Sequence, residues 1–480
     1  MKKMTYFKRA VGISERIVIR GELLLTSPTS LGNGDTEGLV DTPLRRDEVD
    51  QTPMLPGATL AGALRSYLWD SFPAHGNAGL NRKLVSELFG NVVNDESRQS
   101  WLFISDALAK NVTEEVRDGV CIDPKTRTAA KGKTFDLELL GAGTLFPIRL
   151  EFWKPLKPGA AAPYPDLALQ ALVLGLTGLE KGHIRLGARK RRGFGQCKVK
   201  QWQVVRYDWS IVKGLLAWLD KDETATKQGV NIGRLLGLAE TAPSARDECH
   251  LTATFQLDGC LLIRAAPAPS DRAEIVHLKN AAGAPVLSGT SIAGVLRARA
   301  ERITHYLRPH NADAFLADLF GPRMEDRQTV PCGSRMWVKE VEIKPEKQDL
   351  VQHRVKIDRF TGGSYPGALF DEQPVFGGTV TIDLAVRRPS PSDVGLLLLL
   401  LKDLWTGDLP LGGASSVGRG RLRGHEATLD WSGKTWLIKA DPTPERPQRL
   451  KVIGEAAELQ RAVDALTLQE PLAADRRGAK

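Results

Sequence analysis

Near the start of the chain an aspartate precedes a basic, proline-punctuated run: "GLVDTPLRRDEVDQTPMLPGATLAGALRSYL", Gly38 to Leu68. The Asp41 carboxylate has the chemistry to relay a proton or hold a divalent ion, and Arg45 and Arg46 can offset charge on a phosphate. Together these are components for attack on a phosphodiester. By spacing alone, an Asp ahead of Thr-Pro reads first as the start of a turn.

Two later loops carry a different chemistry. "LGARKRRGFGQCKV" runs from Leu186 to Val199 and "LGGASSVGRGRLRG" from Leu411 to Gly424, with Gly187, Gly193 and Gly195 at the same offsets as Gly412, Gly418 and Gly420. The first encloses Arg189, Lys190, Arg191 and Arg192; the second has Ser415, Ser416, Arg419 and Arg421. A charge run is most often a solvated hairpin tip. Alternation with glycine points further, because glycine lets backbone approach a phosphate and its amide donate to it.

The elements that hold these loops occur twice. "LPGATLAGALRSYL" (Leu55 to Leu68) matches "LSGTSIAGVLRARA" (Leu287 to Ala300), and Thr59 or Ser291 ahead of the apolar-periodic stretch predicts a capped helix start. Thr59 and Arg65, with Ser291 and Arg297, are then placed where a helix N-terminus and an arginine bind phosphate, or equally where a cap and an ion pair serve structure. "ELFG" and "DLFG" follow, then the strands "WLFISDA" and "RMWVKEV", with Trp101 equivalent to Arg335. Next come "CIDPKTRTAAKGKTFD" and "KIDRFTGGSYPGALFD", whose Ile-Asp and Phe-Asp pairs keep the same separation. Asp123, Asp136, Asp358 and Asp371 read as turn and hairpin residues. A strand, an apolar helix, the glycine loop and a last strand close each copy. This is the β-α-β-β-α-β order of a ferredoxin-like unit, so the fold class is α+β with two tandem domains. The expected divisions are 1–209, a partly helical connector 210–248, 249–440, and a C-terminal helix (from Val452) and frayed tail 441–480. Insertions fall near 111–134 and 341–369.

Composition sets outer bounds. Lys and Arg exceed Asp and Glu by 66 to 57, a formal charge of +9, which suits a polyanionic partner without requiring one. The five cysteines have no zinc-type spacing and read as reduced thiols of a cytoplasmic protein. The start has no apolar run of signal-peptide length, and "LLLLLL" at Leu396 to Leu401 is too short to span a bilayer and reads as a buried helix.

With both copies aligned, the chain resembles the RAMP superfamily, specifically the backbone subunits of type III CRISPR effector complexes. Asp41, Pro43, Arg46, Asp47, Pro53, Pro56, Gly57, Thr59, Gly62 and Arg65 fill the positions of that family's catalytic-loop segment, and Ala58 departs from its usual hydroxyl residue. The resemblance implies two RRM-like RAMP domains, each with a thumb hairpin and a C-terminal glycine loop. It also implies guide RNA, complementary target RNA and other type III effector subunits as partners, and no membrane. The activity it implies is cleavage of the target by in-line attack of its own 2'-hydroxyl at Asp41, assisted by Mg2+ or Mn2+. The second half lacks an aspartate at that spacing. Counting back fifteen from Ser288 reaches Ala273, flanked by Asp271 and Glu274. A loop one residue shorter instead aligns Lys279 and Asn280 with Arg46 and Asp47, and puts Glu274 at the place of Asp41. His277 is a minor general-base candidate in what reads as a surface loop. The alternatives are a scaffold that binds guide RNA without cutting, and a RAMP endoribonuclease that processes precursor guide RNA.

Overall fold

The computed structural model describes residues 12–34, 40–71, 78–93, 96–123, 126–155, 165–238, 247–268, 271, 273–323, 332–347, 350–441 and 450–467. The tail expected to fray, beyond 467, and the Pro/Ser/Ala part of the connector at 239–246 lie outside these residues.

In the first repeat, strand β1 (Ile13–Leu25) alternates so that Ile17, Ile19, Leu23 and Leu25 are all buried on one face. Helix α1 (Gly57–Ser71) buries Leu60, Leu64 and Leu68 at helical spacing. Strand β2 (Leu102–Ile104) precedes a hairpin of β3 (Glu114–Ile122) and β4 (Ala129–Leu140). Strand β5 (Leu145–Pro155), helix α2 (Pro165–Glu180) and strand β6 (Cys197–Asp208) complete the repeat. The sheet runs β6-β1-β5-β2, all antiparallel, with the short strand Lys227–Gly229 added beside β6. This is the 4-1-3-2 order of a ferredoxin-like sheet.

The second repeat has the same order. Strand β7 (Glu248–Asp258) buries every second residue: Cys249, Leu251, Ala253, Phe255 and Leu257. Helix α3 (Gly289–Leu307), strand β8 (Met336–Val338), the hairpin of β9 (Gln352–Ile357) and β10 (Ser364–Gln373), strand β11 (Thr379–Arg387), helix α4 (Pro391–Trp405) and strand β12 (Arg421–Trp431) follow. Strand β12 pairs with β7, β7 with β11 and β11 with β8, again 4-1-3-2. Helix α4 holds the polyleucine run, and its start is fixed by a capping box of Ser390 and Asp393 with Pro391 at the first turn.

Three details differ from the sequence reading. Helix α3 is capped by the Ser288 side chain, which accepts from the Ser291 N–H at 3.3 Å, so Ser291 lies inside the first turn. Thr59 likewise falls within α1, and Arg65 sits midway along it. At the C-terminus, Leu450–Ile453 is a strand and the helix begins at Ala456. All five cysteines are free, and burial pushes the thiols of Cys197 and Cys249 up to about 12.

The chain forms two compact units. The first is 1–115, 138–188 and 195–245; the second is 116–137, 189–194 and 246–480. Most of the β3–β4 hairpin and the basic turn at 189–194 therefore belong to the second unit, although the sequence repeat places them in the first copy.

Candidate nucleic-acid interface and catalytic loop

In the first unit, the loop that carries Asp41 is fastened from below by one side chain. Glu138, on β4, accepts from the Leu44 N–H at 2.7 Å and from Arg46 Nη2 at 2.7 Å, while its own N–H donates to Thr42 O at 3.2 Å. Arg46 also reaches Glu114 at 2.8 Å, and these carboxylates raise its pKa, the Glu114 hydrogen bond most of all. Arg46 is thus held by protein carboxylates, with part of its side chain still exposed. Asp47 turns the chain by accepting from the Val49 and Asp50 N–H groups. Asp41 and Arg45 are exposed on this fastened loop. Glu138 is the residue that motif reasoning missed, although it lies inside "KTFDLELL", two positions after Asp136.

The corresponding loop of the second unit is one residue shorter. Arg46 bridges Pro53 as Lys279 bridges Pro285, and the Asp47 N–H bonds Thr52 O as the Asn280 N–H bonds Ala284 O. Counting back from those bridges pairs Glu274 with Asp41 and His277 with Leu44. Glu274 is exposed. Asp271 accepts from the Ala268 N–H at 2.8 Å and pairs with Lys279 at 3.2 Å; the backbone bond, then the lysine, lower its carboxyl pKa. It is therefore a loop brace rather than a second Asp41. His277 is 2% exposed, so the expectation of a surface residue fails. Its Nδ1 accepts from the Ile263 N–H at 3.2 Å and its Nε2 donates to Val286 O at 3.0 Å. Burial lowers its pKa to about 4, and no general base is offered there.

Both glycine loops share one backbone path: a left-handed residue (Arg189, φ 53°; Ala414, φ 57°), a three-residue turn, then a left-handed glycine (Gly193, φ 94°; Gly418, φ 90°). The glycines serve this path more than a ligand. A Cβ on Gly195 (φ 80°) would lie 1.9 Å from Leu186 O, and one on Gly420 (φ 78°) 1.8 Å from Leu411 O. The Gly195 N–H donates to Pro28 O and the Gly420 N–H to Cys260 O, so these two amides are spent internally. Gly187 and Gly412 pack against the carbonyls of Ser30 and Leu262 in the same way, and Gly193 is buried against the Glu340 backbone. Only Gly418, of the six, is exposed. Arg419 is a further correction: it is 1% exposed and paired with the buried Glu372 at 2.7 Å, at the position where the first loop has the buried Phe194.

In the second unit, the basic turn, β3–β4 and α3 line a cavity of about 2360 Å³. Arg127, Arg189, Arg191, Arg192, Arg297 and Arg302 are on its wall. These cations are held against one another. Burial, then Arg297, lowers the pKa of Arg192; burial, then Arg127 and Arg299, lowers that of Arg302. Burial followed by Arg192 does the same to Arg189, and burial followed by Arg191 and Arg387 to Lys190. The Arg189 guanidinium also lies 4.3 Å from the Phe135 ring. Arg297 is partly neutralised by Glu301 at 3.2 Å, and Arg299 by Asp403 at 2.5 Å. Arg421 and the exposed Ser415 and Ser416 lie on the same wall. A concave surface with this excess of cations concentrates polyanions. Arg302 and Arg127 were not among the residues the motifs pointed to; the signal was the repeated arginine in "RARAERI".

A sequence model of the RAMP superfamily matches residues 22–198 and 259–423, well over half of the chain and one region per repeat. The chain belongs to the RAMP superfamily. With that family goes RNA binding in a CRISPR-associated setting. No curated protein matches the chain. Among the described residues of this RAMP protein, no helix is long and apolar enough to cross a membrane.

Proposed function

We propose that the chain is a backbone subunit of a type III CRISPR ribonucleoprotein that holds guide RNA and cleaves complementary target RNA at Asp41. The observation that carries the RNA-binding part is the arginine-lined cavity, whose cations repel one another until an anion enters. Its contacts are of the phosphate-and-sugar kind, as a protein that accepts any guide sequence requires.

For cleavage, the loop fastened by Glu138 presents Asp41 to solvent, where a splayed target nucleotide would bring its 2'-hydroxyl. Asp41 takes the hydroxyl proton as the oxygen attacks the adjacent phosphate in line with the leaving 5'-oxygen, giving a 2',3'-cyclic phosphate and a 5'-hydroxyl that takes its proton from water. Arg45, also exposed, balances charge on the phosphate, while Arg46 and Glu138 keep the loop in place. Among the described residues no group of three or more His, Cys, Asp or Glu is set to hold a metal ion. Asp41 fits Mg2+ or Mn2+ only together with RNA phosphate oxygens, as Mg2+ is often held. Such an ion would polarise the scissile phosphate.

The test is cleavage of labelled complementary RNA by the reconstituted guide complex, comparing wild type with Asp41→Ala and Glu274→Ala. Loss of one product with Asp41→Ala, guide still bound, is expected. An unchanged product ladder would make the chain a scaffold. Precursor processing by a histidine at the second loop is disfavoured by the burial of His277.

A further inference from the structure

Three pairs of repeat-equivalent positions carry exchanged chemistry. The Ile122-Asp123 and Ile357-Asp358 pairs, with Phe135-Asp136 and Phe370-Asp371, set the register of the two hairpins. In that register Arg117 corresponds to Gln352 and Leu137 to Glu372, and the glycine offsets pair Phe194 with Arg419. In the second unit the buried Arg117 guanidinium lies 5.8 Å from the Phe194 ring and makes a two-pronged pair with Glu340, at 2.5 and 3.1 Å. Glu340 is just past β8, so hairpin and carboxylate come from different repeats. At the second hairpin the arginine has moved to position 419. Its Nη2 lies 2.7 Å from Glu372 Oε2 and donates to Gln352 Oε1 at 2.6 Å, and both of those partners are in its own hairpin. Arg354 and Arg264 face the same carboxylate at 3.4 and 3.7 Å.

The receiving side shows the same contrast. Counting from the equivalence of Trp101 and Arg335, Glu340 corresponds to Asp106. In the first unit the Asp106 carboxylate accepts from the Gly57 N–H, at the start of its own helix α1, at 2.6 Å. Inside the molecule, then, guanidinium and carboxylate satisfy each other across two repeats. At each outer equivalent the charged group finds its partner within its own domain: the exposed Asp106 at the Gly57 N–H, and Arg419 through Nη2 alone, its Nε and Nη1 making no hydrogen bond among the described residues.

We infer that the Arg117–Glu340 pair is a joint used once per chain, and that internal pairing at Arg419–Glu372 and Asp106–Gly57 keeps copies of the chain from joining end to end. A buried guanidinium must be paired, so the first hairpin selects a surface with a carboxylate at the Glu340 position. The second hairpin has no such demand and gains nothing from another copy's Asp106. One chain thus contributes a fixed pair of domains, and anything that lies beyond the second hairpin is a different protein.

Sedimentation velocity of the full chain over a wide concentration range tests this. Wild type is expected at the mass of one chain throughout. A variant that restores the joint at both ends (Asp106→Glu, Gln352→Arg, Glu372→Leu, Arg419→Phe) is expected to shift, with rising concentration, to two chains or more. Wild-type association that is lost on Asp106→Ala would overturn the inference, as would a folded restored variant that stays at one chain. If the restored variant does not fold, a charge exchange decides. Arg117→Glu and Glu340→Arg should each open the 116–137 hairpin to protease, and the two together should recover protection. A double variant no better protected than either single one refutes the joint.

Discussion

At His277, an imidazole occupies the place that Leu44 has in the first repeat and ties the Ile263 N–H to the Val286 carbonyl. Its pKa of about 4 in the folded chain lies below the ordinary imidazole value of 6.5, with burial as the main cause and Lys279 adding to it. The unfolded chain therefore binds a proton first, and stability is lost as pH falls from 6.5 toward 4, by roughly 3 kcal/mol in full. Chemical denaturation of wild type and His277→Leu at pH 7 and pH 4.5 checks this: the variant should lose less stability between the two. Single residues were also where the sequence was hardest to read. The basic run in "LGGASSVGRGRLRG" gave no sign that Arg419 is buried, because the carboxylate that neutralises it, Glu372, is distant in sequence. The carboxylate partners of Arg46 were hidden for the same reason, since Glu114 and Glu138 reach it from a hairpin folded back from far along the chain.

Helices and strands were more legible, since their periodicity is local. The alternation in Glu248–Asp258 and the apolar helix at Pro391–Trp405 are plain in the sequence, and duplication let each element vouch for its counterpart. Helix starts were misplaced by a few residues because several hydroxyl residues in "LSGTSIAG" compete for the cap, and geometry chose Ser288. At this scale the glycine loops make a firm prediction. Gly195→Ala combines a left-handed backbone with a Cβ 1.9 Å from a carbonyl, so the first unit should lose at least about 2 kcal/mol, read from its denaturation midpoint. Gly418→Ala has φ 90° but open space and should lose less. Breaking the Arg117–Glu340 pair with Glu340→Ala removes a buried carboxylate from a buried guanidinium and should destabilise the second unit by about 3–5 kcal/mol.

Over the whole molecule, the net charge of +9 only hinted at an anionic partner. The cavity shows where the charge gathers, and the sequence could not, because its wall draws on segments as far apart as Arg127, Arg189 and Arg302. If these side chains contact phosphates of single-stranded guide RNA, affinity should fall steeply with salt. Replacing Arg189, Arg192 and Arg302 together by Ala should lower the slope of log K against log salt by about 2. Filter binding of a labelled single strand at several salt concentrations measures that slope, and an unchanged slope would remove the cavity from the RNA path.

The hairpin at 116–137 has a final consequence, which concerns the order in which the protein is made. Arg117 leaves the ribosome 223 residues before the Glu340 that neutralises it. At about 5–20 residues per second, that is a wait of roughly 11 to 45 seconds. For that interval the nascent first repeat displays a hairpin without the Glu340 carboxylate that its guanidinium pairs with in the folded chain. Its opposite strand carries Phe135, a residue that later lies under Arg189. Synthesis slowed beyond position 137 would lengthen this exposure, and chaperone occupancy on stalled nascent chains should be highest for lengths between the two residues.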